Sequence, residues 1–185
     1  MIKRFLTGLF LSAMLVSCKT SAPETVYFNP DSPVIANDIS NQRISSFAED
    51  AQGHIWMGTF RGLNRITVHE IHQHFCTDAE YSLPDNQIQC LFKDSKDRLW
   101  VSTVNGVALY TDKDDFKRIP MESINRNSVQ IFEDKSGRIF INTSTSLCVY
   151  DEQQEKFVNA APEGTALGDC FITPDNDLLI ATSFD

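Results

Sequence analysis

Long apolar runs are missing from most of this 185-residue chain. After residue 18 none approaches the ~20 residues of a membrane-spanning helix, so no helical span is expected there. Positive charge is also scarce: 16 Lys and Arg face 25 Asp and Glu, a formal net charge of −9. Such a chain repels nucleic-acid phosphates and anionic lipid headgroups, which disfavours a nucleic-acid partner. There is no CxxC or other zinc spacing and no HExxH. Neither a glycine-rich phosphate loop nor a Ser-His-Asp nucleophile elbow occurs. We therefore expect no catalytic residue, no metal and no cofactor.

What is present is repetition. Asp50 to Leu63 (DAQGHIWMGTFRGL) returns as Asp94 to Val107 (DSKDRLWVSTVNGV) and as Asp134 to Leu147 (DKSGRIFINTSTSL). A fourth copy starts at Thr173 and reaches Thr182. The shared Thr59, Thr103, Thr143 and Thr182 are spaced by 44, 40 and 39 residues. A period of roughly 40 to 50 residues built from short strands is that of a propeller blade.

Each copy has the physics of such a blade. A strand-like run containing Phe47, Leu91 or Ile131 leads to the Asp. A turn follows, in which Asp accepts backbone hydrogen bonds and Gly supplies a positive φ. The second strand carries a bulky side chain: Trp56, Trp100, Phe140, then Leu179. Gly62 and Gly106 mark another turn into a third strand, and His69–Phe75, Phe116–Ile119 and Phe157–Val158 supply the outer one. A lone blade cannot bury its two apolar faces, so blades stack. The expected fold is all-β, a partial β-propeller of four-stranded antiparallel blades, about three and a half repeats. The blades cover about residues 38–77, 82–120 and 123–160, with 165–185 incomplete.

The pattern of Asp, turn, Gly, apolar, Trp, apolar, Gly or Ser, Thr, two residues, Gly, Leu, apolar, Tyr resembles the two-component regulator propeller repeat. The resemblance covers roughly residues 38 to 185. The sequence departs from it at Asp97 for the turn Gly, Phe140 for Trp and Ser146 for Gly. The resemblance implies a non-catalytic sensor region, exported to the periplasm in hybrid two-component systems of gut Bacteroidetes, which senses glycan breakdown products or partner proteins. Such sensors carry many more repeats, then a membrane span and a kinase. The chain is accordingly expected to be a truncated product, with a small propeller completed by dimerisation or edge pairing as the alternative. A propeller hydrolase or lyase fragment and a non-functional gene remnant are the rival readings.

Residues 1–17 read as a lipoprotein signal peptide. Lys3 and Arg4 are its basic start, Phe5 to Val16 its apolar stretch, and Leu15-Val16-Ser17-Cys18 resembles a lipobox. An ordinary secretory signal or a short membrane anchor is the alternative. On the lipobox reading Cys18 carries the lipid, and the acyl chains hold the protein at a membrane face, in the periplasm or on the outer membrane, by about 0.8 kcal/mol per buried methylene. Loss of the segment, which holds two bases and no acid, moves the charge from −9 to −11. Residues 18–37 form a tether with one stray apolar piece, Thr25–Phe28, that suits an outer strand.

Four cysteines remain: Cys76, Cys90, Cys148 and Cys170. They permit three disulfide pairings. Their repeat positions argue against a framework, because Cys170 falls where Leu91 and Ile131 sit and Cys148 where Ala108 sits; buried thiols acting as small hydrophobes fit better. His69-Glu70-Ile71-His72-Gln73-His74 places His72 and His74 on one strand face, within reach of a shared metal, yet an exposed outer strand explains it more simply.

Propeller geometry puts the turns between second and third strands on the same face as the blade-to-blade connections. That face gathers Phe60, Arg61, Asn105 and Thr145 with the entry residues Gln42, Arg43, Asn86, Gln87 and Asn127. Amides, arginines and an aromatic suit a small polar ligand such as an oligosaccharide, or a protein partner. The same residue types are also common in loops.

Palmitate pulse-labelling checks the lipid expectation: wild-type chain takes up label and Cys18→Ala does not. Unlabelled wild-type chain contradicts it.

Overall fold

The computed structural model describes residues 39–67, 70–111, 113–122, 130–143, 145–160, 167–173 and 175–182. All of them lie within one compact unit, Pro33–Asp185. The leader 1–17, Cys18 with its tether 18–37, and the connection 123–129 containing Asn127 are outside the described residues.

The described residues form strands and no helix. The first sheet holds β1 (Ile44–Glu49), β2 (Ile55–Thr59), β3 (Gly62–Ile66) and β4 (Ile71–His74). The second holds β5 (Ile88–Lys93), β6 (Leu99–Thr103), β7 (Gly106–Tyr110) and β8 (Phe116–Ile119). The third holds β9 (Gln130–Glu133), β10 (Ile139–Asn142), β11 (Leu147–Asp151) and β12 (Lys156–Asn159). A last pair is β13 (Leu167–Ile172) and β14 (Leu178–Thr182). Within each sheet the strands are antiparallel and hydrogen-bonded in chain order. This is the expected partial propeller of four-stranded blades, and the first strands lie side by side, β1 against β5 and β5 against β9.

The turn after each first strand is built around its Asp. Asp50 Oδ1 accepts from the amides of Gln52 and His54, both at 2.9 Å. Asp94 does the same for Lys96 and Arg98, and Asp134 for Ser136 and Arg138, at 2.9 Å each. The left-handed position of the turn is Gly53 (φ 81°), Asp97 (φ 61°), Gly137 (φ 78°) and Asn176 (φ 71°). Asp97 therefore takes up the glycine conformation itself, which Asp and Asn tolerate better than most residues. In the fourth copy Thr173 replaces the acid and its hydroxyl accepts the Asp177 amide at 2.9 Å.

The second carboxylate oxygen reaches into the sheet. The Trp56 indole donates to Asp50 Oδ2 and the Trp100 indole to Asp94 Oδ2, both at 2.8 Å. Both indoles are wholly buried, and the three acids are nearly so. Burial by itself raises the Asp50 and Asp94 pKa values. Donation from the indoles, from the His54 and Arg98 amides and from the His54 and Arg98 side chains outweighs burial and holds both below the usual carboxylate range. Asp134 is lowered too, by Arg138 and the turn amides, again against burial.

Each ring faces the following blade. Trp56 meets Tyr110 edge-on at 4.6 Å and Phe116 at 6.2 Å. Trp100 repeats this with Tyr150 at 4.9 Å and Phe157 at 5.7 Å. Phe140 stacks on Phe132 and packs with Leu147 and Cys170. Burying an aromatic of about 150–250 Å² contributes roughly 4–6 kcal/mol, so these contacts dominate the stacking. A second device recurs between first strands, four residues before each Asp. Ser46 Oγ accepts the Leu91 amide at 3.0 Å, the Cys90 thiol receives the Ile131 amide, and Gln130 Oε1 accepts the Cys170 amide at 3.4 Å. Register shifts at Ile44/Ser46 and Ile88/Cys90 bulge the strands just there.

Cys76, Cys90, Cys148 and Cys170 form no disulfide, and Cys148 and Cys170 are buried. His74 departs from the expected solvated strand. It stacks on Trp56 at 5.4 Å with its side chain 12% exposed, because β4 turns this position toward the neighbouring blade. His72 stays near the surface, bonded to Glu70 at 2.8 Å, and no metal-holding cluster occurs among the described residues. At the last sheet the outward face carries Phe171 (62% exposed) and Leu179 (56%), the positions that Phe132 and Phe140 occupy in the blade before.

Asp94→Ala is expected to cost about 3 kcal/mol, since it strands the buried Trp100 indole and takes from the half-buried Arg98 one of its two carboxylates. Asp134→Ala should cost less, because Phe140 has no N–H to lose. Folded carboxyls that titrate below their unfolded value of about 3.9 contribute stability fully above that pH, and lose it as pH falls through the folded value. Urea titrations at pH 7 and pH 3 by tryptophan fluorescence check both. Equal costs for the two alanines, or unchanged stability at pH 3, contradict the assignment.

Candidate ligand-binding rim

The turns between second and third strands are held by a buried threonine. Thr59 Oγ1 donates to Gly62 O at 2.8 Å and accepts the Arg61 amide at 3.1 Å. Thr103 repeats this with Gly106 O at 2.8 Å and the Asn105 amide at 3.2 Å. Thr143 donates to Ser146 O at 3.2 Å. The shared Thr of the repeat is thus a turn clamp, and the residues after it form the turn tip.

The tips are tied to the entries of the first strands. The Phe60 amide donates to Arg43 O at 3.1 Å and the Val104 amide to Gln87 O at 3.2 Å. Asn41 Oδ1 accepts the Arg43 amide and Asp85 Oδ1 the Gln87 amide, each at 2.8 Å. Arg43 and Gln87 are therefore equivalent residues, fixed in backbone with their side chains left to the rim.

The structure brings several of the sequence-predicted residues together and separates others. Arg43 places its guanidinium carbon 4.3 Å from the centroid of the Phe60 ring. Arg61 follows on the same turn and is exposed, as is Gln42 beside Arg43. Gln87 and Asn105 make the corresponding corner of the second blade, and Thr145 stands exposed on the third-blade turn. Asn86 serves the scaffold: its Oδ1 accepts the Cys76 amide at 2.7 Å across the connection between blades.

A cavity of about 280 Å³ opens beside Asn105, between Pro84, Gly106, Arg118, Pro120 and Met121. Arg118 went unnoticed in the sequence because it sits on an outer strand. Its guanidinium donates to Ser82 O at 2.9 Å, Ser82 Oγ at 2.7 Å, Leu83 O at 3.0 Å and Thr77 O at 3.2 Å, pinning the connection. Phe75 was also missed as a rim residue. It follows β4, is 41% exposed, and lies over Gly62, where an added Cβ would stand 2.8 Å from its ring. The two arginines, Phe60, Phe75 and the amides offer hydrogen-bond donors, acceptors and ring faces on one surface.

The two component regulator propeller model matches residues 38–61 and 82–105. No curated protein matches the chain. Solved structures share its fold. The extracellular domain of a protein assigned as a hybrid two component system in B. thetaiotaomicron is 20% identical over 77% of this chain and 22% of its own, with a TM-score of 0.65. Another extracellular domain from B. thetaiotaomicron, of a protein assigned as a one component system, is 20% identical over 75% of this chain and 22% of its own, TM-score 0.63. Virginiamycin B lyase from Staphylococcus aureus is 16% identical over 77% of this chain and 50% of its own, TM-score 0.59. The chain spans 22% of the length of those two extracellular domains. At such identities the likeness is one of fold. The matched repeats supply the first two strands and clamped turns of the first two blades, and in those two segments the chain matches the two-component regulator propeller repeat.

Proposed function

We propose that this chain is the ligand-binding part of a sensor in a two-component-type signalling system, and that the rim around Arg43, Phe60 and Arg61 takes a small polar ligand of oligosaccharide type. The observation that carries this reading is the Arg43–Phe60 pair at 4.3 Å, an exposed guanidinium over a half-buried ring on the turn that Thr59 holds in place. Aromatic faces beside hydrogen-bond donors suit sugar rings, which combine apolar C–H faces with hydroxyls. The extracellular domains of like fold support an exported location, and Cys18 is the proposed lipid attachment that holds the chain at a membrane. The lyase has the same fold to a similar extent, so fold does not choose between binding and catalysis. The choice of binding rests on the rim chemistry, where Arg43 and Arg61 stand among amides rather than beside a nucleophile and its base.

One observation favours a second mode of partnership. Phe171 and Leu179 present on the last sheet the kind of face that the internal interfaces cover, which fits pairing with a blade-like surface of a protein partner or a second copy.

A thermal-shift screen of the full chain against neutral and acidic oligosaccharides tests the rim. A ligand at a hundred times its Kd adds about 2.7 kcal/mol to stability and raises Tm by several degrees. The shift is expected to vanish in Phe60→Ala with Arg43→Ala. A library without effect on the wild type, or a shift that survives the double change, overturns the reading.

A further inference from the structure

The rim of the first blade differs from the others in a way that the repeat does not require. At the position of Arg43 the later copies have Gln87 and Asn127; at Phe60, Val104 and Ser144; at Arg61, Asn105 and Thr145. The fold is satisfied by neutral residues there, since the backbone tie from Phe60 to Arg43 is reproduced by Val104 and Gln87. Two arginines flanking an aromatic are thus an addition to the scaffold.

These arginines are also unspent. Arg65 binds Asp114 at 2.8 Å and Tyr110 at 2.6 Å. Arg98 binds Asp94 and Glu152, Arg138 binds Asp134, and Arg118 is taken by carbonyls and a hydroxyl. Among the described residues Arg43 and Arg61 are the arginines whose guanidinium groups make no ion pair or hydrogen bond. In a chain with 25 acidic and 16 basic residues, two arginines with neither an ion pair nor a hydrogen bond stand out. The net charge repels anions at long range, so only a local cluster holds one. A guanidinium meets a carboxylate or sulfate with a planar fork of N–H donors. Phe75 offers an exposed ring over Gly62, the residue after Arg61.

Resting on the reading of this rim as a ligand site, we propose that Arg43 and Arg61, with Phe75 as the stacking surface, select an acidic oligosaccharide whose ring bears a carboxylate or sulfate. The anionic group takes the guanidinium donors and the sugar's C–H face lies on the phenyl ring.

Titration calorimetry of the full chain with three probes tests this: trigalacturonate, its carboxyl-reduced neutral counterpart, and a κ-carrageenan tetrasaccharide as the sulfated arm. At least one acidic probe should bind tenfold or more tighter than the neutral trisaccharide, and the better acid identifies the group. Arg43→Gln and Arg61→Gln should each cost that probe tenfold or more with an unchanged thermal midpoint, while Phe75→Ala weakens every probe that binds. Neutral sugar bound as tightly as either acid, and lost in Phe60→Ala, overturns the acidic selection but leaves the rim as a sugar site. Acidic binding that survives both glutamine variants overturns the assignment to these residues. Binding of none of the three overturns it as well.

Discussion

The structure depends on a buried carboxylate that accepts, at one residue, both the amides of a tight turn and the indole of the next strand. Asp50 and Asp94 each hold two turn amides, the side chain of the residue just before the following strand, and a tryptophan. The local hairpin and the packing between blades are thereby one event. An indole tethered at its nitrogen has its rings aimed at the neighbouring sheet, where Tyr110 and Phe116, or Tyr150 and Phe157, receive them. The device weakens along the chain. Asp134 holds two amides and Arg138 but no indole, and Thr173 holds one amide with Leu179 in the ring position.

Because buried polar groups fix the blade from within, its rim is left free to vary. Thr59 and Thr103 clamp the turn whatever follows them, and the amide of the next residue is tied back to the entry strand. Side chains at the tip carry no structural duty, which is the usual division between scaffold and binding loops. The basic pair of the first blade and the amides of the second are two sequences on one frame. A ligand site here needs no change in the core.

The frame was legible in the sequence because its causes are periodic. Asp, Trp, Thr and Gly recur at fixed offsets, and each offset corresponds to one hydrogen bond or one ring contact. The turn role of the acids was readable, but their hold on the indoles was not, since a pairing six residues apart across a hairpin leaves no mark in a turn motif. His74 was misread for a related reason. A polar residue on an outer strand looks solvated until the neighbouring blade is set beside it, and only then does its stack on Trp56 emerge. Arg118 and Phe75 matter to the rim through a connection and a glycine distant in the repeat pattern, so periodicity did not single them out. Gln42, Arg43, Phe60, Arg61, Gln87 and Asn105 were legible as rim residues from strand order alone. Asn86 belonged to the same stretch, yet it bonds the connection instead.

The most direct measure of the coupling between turn and packing is hydrogen exchange at the two indole nitrogens, followed by NMR at neutral pH. If Asp50 and Asp94 hold the rings in the blade interfaces, both protons exchange only when a blade opens, slowed on the order of a thousandfold against a free indole. Exchange of either at the rate of a solvent-exposed indole contradicts the account.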